Sequence, residues 1–304
     1  MDKQKEIDSG ANKALTTRQS EQVPTISVLN LFNEKELAQA EVFLKKIIAT
    51  EKGGIKSVNE GLAILMRAQD LQLPFSTCIE HIHIIQGKVG VDVHVIKALL
   101  LRAGVTWRCT KPYTPLYQYT DGNTIYNEDK LPQYCVICRS SKEAEEKTNA
   151  DQVGVYPLKW YSDLKGNLYN EFQISSKCVV ALNPLHAKKL QSEGQFPVIR
   201  VPAVPIDYVV EYEFTRYFLI GGKERVMTCK SSFSVNDAKA AGLLDKDNYK
   251  KYPKIMTSHR AFTLGARDIA DDKLMGVMEI NELAAITGVA VPLDSDYIDD
   301  DVID

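Results

Sequence analysis

The order in which helical and strand-like stretches follow one another is what most restricts the fold of this chain. Apolar residues recur at helical spacing as far as Gly104. The stretch from Val105 to about Cys229 is mostly strand-like, and helical spacing returns after Ser234. Elements grouped in runs in this way predict an α+β fold with an antiparallel sheet packed with helices.

The local signals are specific. Asn33 offers an N-cap, with Glu34 and Glu36 in the first turn, and Leu37, Val42, Phe43, Leu44, Ile47 and Ile48 follow at helical spacing until Gly53–Gly54. Ser57 and Glu60 fit a capping box for a helix through Leu62, Ala63, Leu65, Met66 and Leu71, just short of Leu73–Pro74. A short helix follows from near Ser76. His81–Ile85 alternates, Gln86–Gly87 turns and Lys88–Val91 returns, which predicts a β-hairpin. Asp92 can cap a helix through Val95, Ile96, Leu99 and Leu100 that Gly104 closes.

In the strand-like region the best stretches are Gln133–Cys138, Phe172–Ala181, Tyr208–Ile220 and Val226–Thr228, with a turn at Gly221–Gly222. Ser140–Ala150 reads as a charged, exposed insertion. Ser234 and Asn236 are alternative caps for a short helix through Ala240, a longer helix runs from Pro253 to roughly Ala270, and Glu279–Ile286 suggests a last short one.

Charge is distributed unevenly. The net charge is −3, but Leu293–Asp304 holds six aspartates and no cation, so the rest of the chain stands at about +3. The expected organisation is a mobile N-terminus over 1–25, a core over 26–290 and an acidic, disordered tail over 291–304. The start of the chain has no apolar signal segment, and no apolar run is long enough to span a bilayer. Six scattered cysteines read as reduced thiols. The expected setting is the cytoplasm, with no membrane partner.

The segment Asn248–Lys254 and the helix after it carry the chemistry. Pro253 suits a first helical turn. At 100° per residue Ile255, Phe262, Ala266 and Ile269 form one apolar stripe, and Arg260 and Arg267 point roughly 140–160° away from it. Lys250, Lys251 and Lys254 lie at the helix start, interleaved with Tyr249 and Tyr252. Such residues attract phosphates and stack unpaired bases; they equally describe a solvated cationic face.

Two blocks of this sequence resemble the RecT family of phage single-strand annealing recombinases, the Red beta-like proteins. The first runs from Ala63 through Leu73–Pro74, then Ile85–Gln86–Gly87–Lys88, then Val95 to Arg102–Ala103–Gly104. The second is Ala238–Leu243, then Tyr249-Lys250-Lys251-Tyr252-Pro253-Lys254-Ile255-Met256, then Arg260–Ala261. Residues from about Cys109 to Arg200 depart from the family by being longer and richer in tyrosine.

The resemblance implies an annealing-protein core that binds single-stranded DNA without ATP and pairs complementary strands in phage homologous recombination. It further implies a homo-oligomer, ring or helical filament, with a phage exonuclease and the host single-strand-binding protein as possible partners. No catalytic residue, metal or cofactor is required, so the chain is expected not to be an enzyme. The nucleic-acid-binding residues it points to are Lys250, Lys251, Tyr252, Lys254, Arg260 and Arg267, with Lys88 and Lys230 as further candidates.

Two other classes fit parts of the sequence. His81, His83, Asp92 and His94 can be read as a metal-dependent DNA-processing site, against the simpler reading of satisfied surface histidines. Cys135–Val136–Ile137–Cys138 is a C-x-x-C, but in a strand its cysteines face opposite sides. A phage structural or scaffolding protein using its cationic helix for subunit contacts is the third class.

Overall fold

The computed structural model describes residues 33–50 and 55–288. The expectations for residues 1–25, the Gly53–Gly54 helix stop and the acidic tail lie outside those residues. The fold is mixed α+β, and the contacts divide the chain into two compact units, Met1–Val95 and Ile96–Asp304, where the sequence predicts one core.

In the first unit α1 spans Glu34–Ile48 and α2 spans Val58–Asp70. Asn33 caps α1 by accepting from the Lys35 amide, and Ser57 caps α2 by accepting from the Glu60 amide. The Glu60 carboxylate reaches back one residue further than a capping box requires, to the Lys56 amide at 2.7 Å. Only Ala40 and Leu44 of α1 are buried, and Val42 and Phe43 are about half exposed. The apolar spacing of α1 thus overstates its buried face. Helix α3, Phe75–His81, leads into a hairpin of β1, Ile82–Ile85, and β2, Lys88–Val91. Ile85 pairs with Lys88, so the loop is two residues, Gln86 and Gly87, both with positive φ. That is the twist a two-residue hairpin needs. Helix α4, Val93–Arg102, follows.

The second unit is organised by one sheet and one helix. The sheet contains β3 (Val105–Leu116), β12 (Asp207–Ile220) and β13 (Lys223–Ser234), all antiparallel with β12 central. The long helix α9, Pro253–Leu274, packs across one face. Phe262 lies at the middle of that contact, 5.4 Å from the Phe214 ring and edge-on to Trp107 and Tyr212 at 5.3 and 5.5 Å. The Tyr212 hydroxyl meets Ser258 Oγ at 2.8 Å, and Ser231 donates to the Ala261 carbonyl at 2.6 Å. At the far end Arg216 bonds both oxygens of Asp272 at 2.6 and 2.9 Å. Phe262, Ala266 and Ile269 occupy the expected stripe, but Ile255 is only partly buried and Met256 takes its place.

Residues 117–206, inserted between β3 and β12, form two four-stranded sheets. One has the order β5 (Ile125–Asn127), β4 (Gln118–Thr120), β7 (Val153–Pro157), β6 (Cys135–Ile137). The other has the order β10 (Cys178–Ala181), β11 (Phe196–Val201), β8 (Trp160–Ser162), β9 (Leu168–Asn170). Both contain a parallel pair, β6 with β7 and β10 with β11, so the antiparallel expectation holds for the main sheet and not throughout.

Two helices stand where strands or loops were expected. Ser140 caps α5, Ser141–Lys147, which buries Ala144 against β7, and Asn183 caps α6, Pro184–Ser192. Phe172–Ala181 is strand only over β10. The remaining helices are α7 (Val235–Ala240), capped by Ser234 with Asp237 completing a capping box, α8 (Asp247–Lys251) and α10 (Ile280–Thr287).

Gly265 explains how closely α9 lies on the sheet. A Cβ there would overlap the Phe214 ring, with its Cδ2 at 2.7 Å, and would stand 2.8 Å from Ser231 Cβ. Phe214 is fully buried and cannot yield. Gly265→Val is therefore expected to cost about 2–3 kcal/mol through overpacking. In thermal denaturation it should lower the melting temperature by roughly 5–10 °C; an unchanged melting temperature would refute the close approach.

Candidate nucleic-acid interface

The corner between α8 and α9 gathers four of the eight candidate residues. Tyr249 of α8 is buried with Ala238, Leu243 and Met256, which fixes the short helix to the rest of the unit. Its side chain is therefore committed to the core and cannot stack on a base. Tyr252 ends α8 and precedes α9 with φ −136° and ψ 56°, and its ring is 41 % exposed. Pro253 is the first residue of α9, which has no side-chain cap, so its first-turn amides add positive potential to the corner. Lys250, Lys251 and Lys254 are all exposed there. Lys254 stands in the first turn of α9, where the helix dipole disfavours a cation, Lys250 and Lys251 close α8, where it favours them, and all three are left open for an anion.

Arg260 and Arg267 are placed differently. They point away from the sheet, as the helical phase requires, but they face α10 and not an open groove. Arg260 Nη1 lies 3.2 Å from Glu282 Oε1, and Arg267 Nη1 donates to the same oxygen at 2.9 Å while its Nη2 bonds Oε2. Their side chains are only 14 % and 29 % exposed. Both arginines therefore build an internal ionic cluster. Removing either would leave Glu282 buried and under-compensated.

Two further groups complete the cluster. Glu279 is buried, accepts from the Glu282 amide at 3.0 Å and from Asn281 Nδ2 at 2.7 Å, and lies 3.9 Å from His259 Nδ1. Burial pushes its carboxyl up to about 7, outweighing the hydrogen bonds from Asn281 and Glu282 and the charge of Arg260. Burial likewise pushes the Tyr249 hydroxyl up to about 12, with the Arg260 guanidinium acting in the opposite direction. Glu282 is the residue the sequence reading missed, because nothing local to Glu279–Ile286 shows which side chains that helix will meet.

Lys88 and Lys230 are both exposed, and Lys230 does not belong to the α8–α9 corner. Lys88 opens β2 in the first unit. Lys230 is the register partner of Glu213 on β13. Its neighbour Ser231 bonds α9, so Lys230 projects from the opposite face of the sheet. That face is charged and internally paired, with Arg108 Nε 2.7 Å from Glu213 and Lys111 3.8 Å from Glu211.

The histidine cluster is a hydrogen-bonded set. His81 Nδ1 and His83 Nε2 lie 2.9 and 3.3 Å from the two oxygens of Asp92. Partial burial raises the Asp92 carboxyl, and the bonds from His83 and His81 outweigh it, so its pKa is lowered. His94 is exposed on α4. Among the described residues no group of three or more His, Cys, Asp or Glu side chains is disposed to hold a metal, and none of the six cysteines forms a disulfide.

The buried carboxyl gives the fold a pH signature. Glu279 titrates near 7 when folded and near 4.5 when unfolded, so the unfolded chain releases its proton first as pH rises. Its contribution to stability is fully present below about 4.5 and is lost as pH rises through 7. The loss is on the order of 3 kcal/mol. Denaturant titrations from pH 5 to 8 should show this decline, and Glu279→Gln should flatten it. A wild-type stability that is level across that range would remove the assignment.

Comparison with protein-family models, with curated proteins and with solved structures gave no match to this chain.

Proposed function

We propose that this chain is a non-enzymatic single-stranded-DNA-binding protein that anneals complementary strands without ATP, as RecT-like recombinases do. The observation that carries the reading is the α8–α9 corner, where Lys250, Lys251 and Lys254 stand exposed around Tyr252 on a base fixed by buried Tyr249 and Met256. The same segment carries the tyrosine–proline–x–x–methionine motif of the resemblance.

Annealing by such a surface needs no bond chemistry. Lysines that neutralise phosphates on both strands remove most of the repulsion between them. A tyrosine face holds an unpaired base at about 1–3 kcal/mol. Duplex stacking, at about 1.4 kcal/mol per step, then drives pairing. Arg260 and Arg267 support the corner from behind through Glu282.

Self-association has a natural surface in the same unit. Beyond the β3 terminus at Val105, the β12–β13 hairpin carries Tyr217, Leu219 and Val226 on one face and Ile220 on the other, each at least 60 % exposed. An apolar ribbon of this kind suits contact with another copy of the chain in a ring or filament. A phage exonuclease and the host single-strand-binding protein are further partners this reading would accommodate. Among the described residues no helix is long and apolar enough to cross a membrane.

Lys250→Ala and Lys254→Ala should each weaken oligonucleotide binding several-fold and flatten the slope of log K against log salt by roughly 0.7, one phosphate contact on a single strand. Fluorescence anisotropy over a salt series reads both quantities, and unchanged affinity and slope in both variants would refute the corner as a DNA contact. Leu219→Lys should shift the protein toward monomer in sedimentation velocity, whereas an unaltered oligomer distribution would exclude the ribbon as the contact.

A further inference from the structure

The inserted segment carries a second surface with the same chemistry. In the sheet β10–β11–β8–β9, Tyr161 is the register partner of Tyr169 on one side and of Arg200 on the other. Cross-strand partners share a face, so Tyr169, Tyr161 and Arg200 form one row. Phe196 and Val198 alternate with Arg200 along β11 onto the same face, and Val180 joins them as the partner of Val198.

Helix α6 covers the other side, where Ala181 and Ile199 pack with Ala187 and Leu190. No helix packs on the row face, where Phe196 is 68 % and Val180 52 % exposed and Arg200 is exposed as well, while Tyr161 and Tyr169 are half-buried and Val198 is buried. A groove of about 700 Å³ opens there, lined among others by Tyr169, Phe196, Lys165, Asn167, Gln173 and Gln195. Aromatic rings, side-chain amides and a cation in one groove suit an unpaired base with its phosphate.

The local charge agrees. From Lys159 to Arg200 the chain has six Lys and Arg residues against three acids. Lys159 and Glu171 pair with each other at 3.4 Å. Asp163 also lines the groove, but its carboxylate is taken up by its own turn, accepting from the amides of Lys165 and Asn167, from Asn167 Nδ2 and from the Tyr169 hydroxyl. Lys188 and Lys189 lie on α6 at the other side of the sheet, so on the groove side Lys165 and Arg200 stand against Asp163, which its hydrogen bonds hold ionised, and a small net attraction for a polyanion is left.

We propose that this face is a second contact for single-stranded DNA, in which unpaired bases stack on Phe196 and on the Tyr161–Tyr169 row while Arg200 and Lys165 meet phosphates. The inference rests on the annealing reading above and extends it to the segment in which the chain departs most from the RecT pattern. Stacking and charge act on any base, so the face holds strands without reading their sequence.

Full-length protein irradiated with a dT oligonucleotide carrying 5-iodouracil should crosslink within Tyr161–Tyr169 or Phe196–Arg200, as mapped by mass spectrometry of the peptides. Phe196→Ala, whose ring is exposed and so dispensable to the core, should raise the dissociation constant roughly tenfold. Arg200→Ala should flatten the salt slope by roughly 0.7. Circular dichroism checks that both variants keep the fold, and Lys254→Ala runs in parallel. If the wild type binds the oligonucleotide and Lys254→Ala weakens it, yet Phe196→Ala and Arg200→Ala bind as the wild type and no crosslink falls in these peptides, this face serves something other than DNA, such as a protein partner. The inference then fails while the annealing reading stands. If the wild type binds no oligonucleotide at low salt, both fail together.

Discussion

The close seating of α9 on the β13–β12–β3 sheet is the constraint from which the rest of the second unit follows. Gly265 removes the side chain that would collide with Phe214, and Phe262 fills the space between Trp107, Tyr212 and Phe214. Ser231 and Arg216 then bond the helix backbone directly, at the Ala261 and Ile269 carbonyls. A helix held this close cannot roll. Its two ends are therefore placed with equal definition: Pro253 and the exposed lysines at one, and Asp272 clamped by Arg216 at the other.

That rigidity separates two kinds of cation along α8 and α9. Lys250, Lys251 and Lys254 precede the buried stretch and keep their charges in water, where an approaching phosphate gains the full effect of counterion release. Arg260 and Arg267 lie where α10 folds over the helix, and planar guanidinium groups suit the two-sided grip on Glu282. Burying such charges is stabilising only with good geometry and extra hydrogen bonds. Glu279, beside them, is disfavoured in its charged form even so. The α8–α9 segment thus turns these three lysines outward and the two arginines inward, although all five are cations in the sequence.

The inserted segment follows another logic. Its two small sheets bury few side chains, and its helices α5 and α6 each cover one face through a few residues such as Ala144, Ala187 and Leu190. Seven tyrosines lie between Tyr117 and Tyr169, five of them on strands only three to five residues long. Large amphipathic rings suit short strands, because each covers much surface while its hydroxyl meets water or a nearby carboxylate, as Tyr126 does at Asp121 and Tyr169 at Asp163.

Much of the fold was legible locally. The caps at Asn33, Ser57 and Ser234, the two-residue hairpin at Gln86–Gly87, the Gly221–Gly222 turn and the start of α9 at Pro253 each depend on a few adjacent residues. Even α6 announced itself by Asn183–Pro184, a cap followed by proline, within a stretch where strand-like composition hid it. Strand-like composition marked nearly all of β12 but only Val226–Thr228 of the twelve-residue β13. What the sequence could not determine was which surfaces meet, since a helix face is defined by its own period but its partner comes from anywhere in the chain. The phase of α9 showed that Arg260 and Arg267 point away from Phe262. Only the folding of α10, some twenty residues on, decided that they meet Glu282 rather than solvent, and only the pairing of β8 with β9 and β11 placed Tyr161 between Tyr169 and Arg200.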